Sequence, residues 1–313
     1  MNTSRRQLIG GISLFAAAGL ALAIANSPIQ SGYHWLASQD WLKGIAIFLF
    51  FLSVGAELRH EIVSGSLRRP KQAVVPIFAA MGGMAVPILI FSAITAGTQY
   101  SVAWGVPMST DIAFALGAIA IAGRWLPKQV RVFVMTVAVV DDSLTILMIA
   151  IFYASSFHVL SLVSLAGVVL GLLLPLGKRF LRALEPLVAF VALPLFAFLS
   201  AGVSFGEISG FGLISLGIIV AMVIGKPLGV LGTTWLVTKF GLGKLAPEVT
   251  WPLLRRVGLV FGMCFTVSML MSELSLGDNL ALHSVANISV LVATSFMAVA
   301  AMFALTFRKP ALD

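Results

Sequence analysis

Charge is scarce in this chain: only 10% of its 313 residues are Asp, Glu, Lys or Arg, too few to clothe a soluble domain of this length. Cysteine is scarcer still. The lone Cys264 excludes an intramolecular disulfide and any cysteine-based metal cluster. Also missing are a long polar linker, a low-complexity stretch, a phosphate-binding loop, a nucleophile-base-orienter set and any metal-ligand spacing. These absences argue against a soluble module and against an enzyme. The ten-residue alternation of a membrane β-barrel is absent too.

What remains is apolar. Hydrophobic residues make up 59% of the chain, and mean hydropathy is +1.05, so the bilayer is the expected solvent. Segments long enough to span about 30 Å of hydrocarbon fall near 8–26, 42–58, 73–96, 103–123, 129–153, 158–176, 184–203, 211–238, 252–275 and 282–306. The sequence thus predicts an all-α membrane protein of about ten transmembrane helices forming one polytopic domain over 1–313. Alternate connections collect almost every Lys and Arg, from Arg5 and Arg6 through Arg68, Arg69, Lys178, Arg179, Arg255 and Arg256 to Arg308 and Lys309. The opposite connections hold only Lys43. That asymmetry predicts cytoplasmic termini and an even helix count. It also accounts for the net charge of +8 without nucleic acid as a partner; lipid is the partner expected.

The opening Ser4-Arg5-Arg6-Gln7-Leu8-Ile9 resembles a twin-arginine export signal, and Ala23-Ile24-Ala25 fits a small-residue cleavage pattern. The reading adopted is that the two arginines hold the N-terminus in the cytoplasm while 8–26 remains as the first helix.

The third to fifth helices begin from one side and the eighth to tenth from the other, as inverted repeats require, over about 73–153 and 211–306. The middle helix of each triplet is interrupted. In the fourth helix the interruption is Gly105-Val106-Pro107-Met108-Ser109-Thr110-Asp111, a missing amide donor beside good N-cap side chains. In the ninth it is weaker, resting on Gly258, Gly262 and Thr266. Broken helices expose backbone polar groups that hydrocarbon tolerates only around a protein-lined cavity.

A charge at the bilayer centre costs about 2.5 to 3.5 kcal/mol on insertion scales, which makes an intramembrane ionisable residue a functional candidate. Asp111, Asp141, Asp142 and Lys226 all fall inside predicted helices. Adjacent aspartates on a helix project about 100° apart, and two such carboxylates resist simultaneous ionisation. A hard cation binding them must displace protons, and that competition couples two fluxes if the site alternates between sides. Lys226 compensates one aspartate when no cation is bound and is a second group able to release a proton. Asp111 sits where it can balance the positive N-terminal ends of half-helices. The structural alternative for all four is a buried ion-pair network.

Ser109-Thr110-Asp111-Ile112-Ala113-Phe114-Ala115-Leu116-Gly117 followed by Val139-Val140-Asp141-Asp142 resembles the NhaA family of sodium/proton antiporters. Gly55-Ala56-Glu57-Leu58-Arg59-His60-Glu61, Leu193-Pro194-Leu195-Phe196-Ala197-Phe198, Gly225-Lys226-Pro227-Leu228-Gly229 and Phe265-Thr266-Val267-Ser268-Met269 follow in the family's order. The resemblance implies an inner-membrane electrogenic antiporter that binds Na⁺ or Li⁺ at Asp141 and Asp142, exchanges it for H⁺ and needs no cofactor. It also implies pH homeostasis as the setting, Lys226 as partner of Asp141, and Pro107, Thr110 and Asp111 in the first crossing. Gly262 and Thr266 fall in the second. Glu57 and Glu61 are expected at the cytoplasmic entrance, the alternative being a solvated helix end paired with Arg59.

This chain also departs from the family. One helix, 158–176, stands between the fifth helix and Leu184-Glu185-Pro186 where three are expected, so two helices are missing. An even loss preserves the orientation of everything downstream. The outer loop Ser27–Asp40 is too short for the hairpin through which family members dimerise, which argues against that homodimer. Glu185 stands where the family has histidine, Asn287 where it has a lysine of the last helix, Cys264 where it has glycine, and Glu273 is an added acid. His34, His60, His158 and His283 fall near helix ends, where interface or solvent roles are expected. Competing readings are a sodium-coupled solute symporter, which has no need of adjacent aspartates, and a homologue that folds without transporting.

Overall fold

A computed structural model describes residues 3–64, 70–123, 125–152, 159–174, 178–203, 212–277 and 279–306. Among the described residues there is no β-strand. The helices are α1 (Thr3–Ala25), α2 (Gln30–Ala37), α3 (Asp40–Val63), α4 (Pro70–Ile94), α5 (Ile112–Ala122), α6 (Lys128–Phe152), α7 (Val159–Leu173), α8 (Lys178–Leu187), α9 (Leu193–Ala201), α10 (Leu213–Val220), α11 (Lys226–Lys239), α12 (Trp251–Val257), α13 (Thr266–Leu276) and α14 (Leu280–Thr306). The ranges 73–153 and 211–306, where inverted triplets are expected, hold α4–α6 and α10–α14.

Among the described residues, six stretches are long and apolar enough to cross a membrane: Asp40–Val63, Ala73–Ile94, Lys128–Ile149, Ala183–Ala201, Leu213–Lys239 and Leu280–Thr306. A seventh is the bent pair Trp251–Gly262 and Thr266–Leu276, whose halves meet at 42°. Ile9–Ala25 and Leu162–Leu173 are apolar but shorter. The segment read as a loop between the first two long helices contains α2, whose Tyr33 is buried. His158 and the basic runs Arg68-Arg69 and Arg308-Lys309 lie outside the described residues.

Small residues set the closest helix pairs. A Cβ on Gly55 of α3 would collide with the Val168 carbonyl of α7, and one on Gly171 of α7 with the Leu52 carbonyl of α3. Gly82 of α4 and Gly229 of α11 press on each other's backbone in the same way. With no hydrophobic drive between helices in lipid, such close approach is what holds them together by dispersion.

Two helices widen just ahead of a proline. Val188–Ala192 between α8 and α9, and Ala221–Gly225 between α10 and α11, are single π turns. Each ends one residue before an X-Pro step, at Pro194 and Pro227. A proline ring lacks an amide hydrogen and clashes with the carbonyl four residues back. The helix yields by one residue, so that Leu193 N–H reaches Val188 O and Lys226 N–H reaches Ala221 O. Lys226 therefore sits on a continuous, bulged helix rather than at an interruption.

Candidate functional site

Asp141 and Asp142 lie mid-way along α6, 2% and 1% exposed. The π turn below Lys226 aims its side chain inward, and the residue is 1% exposed. Its Nζ lies 2.8 Å from Asp141 Oδ2 and donates to Thr110 Oγ1 at 2.9 Å. Thr110 passes the bond on by donating to Phe261 O at 3.1 Å. One ammonium thus joins α6, α11 and both interrupted segments.

The interruptions clasp each other. Residues 104–111 are non-helical and end where α5 begins, and Met263–Phe265 is non-helical between a 3₁₀ turn, Gly258–Gly262, and α13. Pro107 and Thr110 fall within the first break; Gly262 and Thr266 flank the second. Asp111 N–H donates to Met263 O at 2.9 Å. Asp111 Oδ2 accepts from Thr266 Oγ1 at 2.7 Å and from Thr266 N at 3.3 Å. Its carboxylate therefore caps the N-terminus of α13 from the start of α5, where negative charge complements the helix ends. Ser109 Oγ lies 2.9 Å from Cys264 Sγ, Ser268 Oγ donates to Val106 O at 2.5 Å, and Thr294 Oγ1 donates to Cys264 O. Backbone groups freed by the breaks are thereby paired with protein, as a lipid-facing break could not arrange.

Asp142 lies within electrostatic reach of Asp141, Asp111, Glu57 and Lys226. Of the buried side-chain oxygens that have no hydrogen-bond partner among the described residues, three lie on α6: Asp141 Oδ1, Asp142 Oδ1 and Thr145 Oγ1. Thr145 is four residues beyond Asp141 and three beyond Asp142, so all three share a face of α6. Sequence reasoning passed over Thr145, although this spacing is a readable signal. It also passed over the Ser109–Cys264 contact, which joins residues distant in sequence.

Glu57 is exposed and accepts from Ser53 Oγ at 3.4 Å, and it lies within electrostatic reach of Glu185 and Glu61. Glu61 is 5% exposed. Arg59 does not pair with either: it donates to Leu172 O and Leu173 O at 2.8 and 3.1 Å, stitching α3 to the end of α7. Among the described residues no three His, Cys, Asp or Glu side chains group as a metal cage. The oxygens here that could hold a cation are Asp141 Oδ1, Asp142 Oδ1 and Thr145 Oγ1.

A family model described as Na⁺/H⁺ antiporter 1 matches residues 1–176 and 163–305. The chain is similar to the Na⁺/H⁺ antiporter NhaA of Frankia casuarinae, 33% identical with 97% of this chain and 86% of the relative covered. The antiporter of the same name from Mycolicibacterium smegmatis is 34% identical, covering 92% and 83%. That of Vibrio vulnificus is 31% identical, covering 96% and 94%. The first of these alignments runs over 379 positions, more than the 313 residues of the chain, so that relative carries segments with no counterpart here. The two family matches overlap on 163–176, within and just beyond α7. Matched over almost its whole length and more than 30% identical to such relatives, the chain belongs to the Na⁺/H⁺ antiporter 1 family, that of the NhaA antiporters.

Proposed function

We propose that this chain extrudes Na⁺, and Li⁺ by the same route, in exchange for external H⁺ across a bacterial inner membrane, and is not an enzyme. The observation that carries the reading is a buried pair, Asp141 and Asp142, set against two interrupted helices with a single ammonium for compensation. In the cation-free state Lys226 neutralises Asp141, and Asp142 holds a proton. Na⁺ arriving at Asp142 Oδ1, Asp141 Oδ1 and Thr145 Oγ1 displaces protons and loosens the Lys226–Asp141 contact, because a metal ion and an ammonium cannot share that carboxylate comfortably. Asp111 and the α13 N-terminus balance the two breaks throughout the cycle. Glu57 and Glu61 line the entrance.

Ten crossings are proposed: α1, α3, α4, the stretch from Gln99 to Ala122, α6, α7, α8 with α9, α10 with α11, α12 with α13, and α14. Both termini are then cytoplasmic by the basic-residue bias. The overlap of the family matches on α7 supports an internal loss of two helices there. The names of the relatives favour antiport over solute symport. Dimerisation through an outer hairpin is not part of the proposal, because the connection between α1 and α3 is occupied by the short α2.

Reconstitution tests the reading. Purified protein in liposomes acidified inside should alkalinise the lumen when Na⁺ or Li⁺ is added outside, and Asp142→Asn should abolish the response. Equal responses from wild type and Asp142→Asn would reject the proposal.

A further inference from the structure

A second charged cluster lies at the end of α13 remote from Thr266. Lys43 Nζ, in the first turn of α3, is 3.0 Å from Glu273 Oε1, and His283 Nε2, in the first turn of α14, is 3.4 Å from Glu273 Oε2. Asn287, one turn further along α14, donates from Nδ2 to Ser200 O at 3.0 Å and places the same nitrogen 3.2 Å from His283 Nε2. Four helix ends, those of α3, α9, α13 and α14, meet at this point. The side chains of Lys43, Glu273 and His283 are 9%, 23% and 15% exposed, so the cluster stands at the edge of water.

Its relation to the ion site follows from helix geometry. Thr266 and Glu273 are seven residues apart, hence on one face of α13 and about 10 Å apart along it. Met269 and Leu270 lie between them on that face, 0% and 2% exposed. Read along this face, the order is Asp111 bound to Thr266, then an apolar plug, then an ion-pair lock. Plug and lock thus stand in series between the Thr266 end of α13 and its C-terminal end.

His283 gives the lock two settings. Ser200 O accepts only a donor, which fixes the Asn287 amide with its second N–H towards His283 Nε2. A neutral imidazole with its lone pair on Nε2 accepts from Asn287. The imidazolium has no lone pair there and gives Nε2–H to Glu273 instead. The two bonds exclude one another. The other groups facing the ring are few: Glu273 from α13 and, through it, Lys43 from α3, where exposed Asp40 is the remaining ionisable side chain of that turn. α5, α9 and α10, which also pack on α14, contain no titratable residue; α12 brings Arg255 and Arg256, and Arg256 lies over Trp125, which bonds Leu305 O at the far end of α14.

We propose that Lys43, Glu273 and His283 form the outer gate of the transport pathway, shut by the Lys43–Glu273 pair and tightened when His283 is protonated. Acid outside adds a second charged hydrogen bond to Glu273 and holds α13 against α3 and α14; alkali transfers the imidazole to Asn287 and leaves Lys43 alone. The inference rests on the proposed function for what passes through the gate and for which side of the membrane is the outer one.

The test is labelling of the full chain in right-side-out spheroplasts, with Cys264→Ser and Met269→Cys, by a membrane-impermeant maleimide added outside. Rates are normalised to the denatured protein at the same pH. The lock predicts slow labelling at pH 6 and faster labelling at pH 8.5. Lys43→Gln and Glu273→Gln should label about tenfold faster at pH 6, the factor expected for the loss of one charged contact. His283→Gln should remove the pH dependence, and the swap Lys43→Glu with Glu273→Lys should restore slow labelling. A variant that merely unfolds also exposes a cysteine at Ala79, buried in α4; His283→Gln, which leaves the Lys43–Glu273 pair intact, then decides. Unchanged rates in Lys43→Gln and Glu273→Gln, or a pH dependence that survives His283→Gln, would overturn the gate. Labelling needs no transport, so a responsive gate without sodium flux rejects antiport and leaves the gate standing.

Discussion

Lys226 and Asp141 form a buried ion pair at 2.8 Å, with side chains 1% and 2% exposed, and the ammonium is also tied to Thr110. Removing one member leaves an uncompensated charge out of reach of water, which costs about 3–5 kcal/mol. Lys226→Gln should therefore lower the thermal unfolding temperature in detergent sharply. Lys226→Gln combined with Asp141→Asn should recover most of the loss, since two neutral amides leave no orphan ion. A double variant no more stable than the single would mean that the pair is not the source of the effect.

Thr266 gives Asp111 both its hydroxyl and its backbone amide. Thr266→Val keeps the shape and removes the hydroxyl, which for a bond to a charged acceptor costs about 1.5–3 kcal/mol. Thr266→Ser keeps the donor and should stay close to wild type. Because the bond joins the two breaks, Thr266→Val should also slow Na⁺-driven alkalinisation in liposomes, whereas Thr266→Ser should not.

The first break was plain in the sequence because Pro107 removes an amide and Ser109, Thr110 and Asp111 are side chains that stop helices. The second was faint: Met263-Cys264-Phe265 is apolar, and its non-helical backbone is fixed by partners far along the chain, Asp111 N–H and Thr294 Oγ1. Lys226 was legible as an intramembrane charge, but the bulge that the helix makes ahead of the proline at 227 was not. The bulge arises from a steric clash whose remedy, a break or a π turn, is chosen by packing on α4. Glu273 stood out only as an unplaced acid. Its partners Lys43 and His283 come from separate helix ends, and no spacing in a single sequence joins them.

Thr145 Oγ1 is buried beside the aspartate pair with no hydrogen-bond partner among the described residues. A hydroxyl that supports nothing in the protein contributes little to stability, so Thr145→Val should leave the unfolding temperature near that of wild type. As a cation ligand it should matter more. The Na⁺ concentration for half-maximal response should rise about tenfold, the equivalent of one favourable polar contact to an ion. Thr145→Ser should restore the wild-type value, and an unaltered response in Thr145→Val would remove Thr145 from the ion site.

Tyr33 ties α2 to the end of α9: its hydroxyl donates to Phe198 O at 2.6 Å and accepts from Gly202 N at 2.9 Å. Burial pushes this phenol up from 10.0 to about 12. An acid whose folded pKa is raised stabilises the fold while neutral, so the contribution is fully present below pH 10. It is lost as pH climbs from 10 towards 12, because the unfolded chain ionises first. Two units correspond to about 3 kcal/mol over that window. Tyr33→Phe should erase this alkaline slope and, by leaving the Phe198 carbonyl and Gly202 amide without their partner, cost about 1–3 kcal/mol at neutral pH. Gly202→Ala should be at least as damaging, since a Cβ there would run into the Tyr33 ring. Unfolding curves between pH 8 and 11.5 check both, and a slope that persists in Tyr33→Phe would assign it to another group.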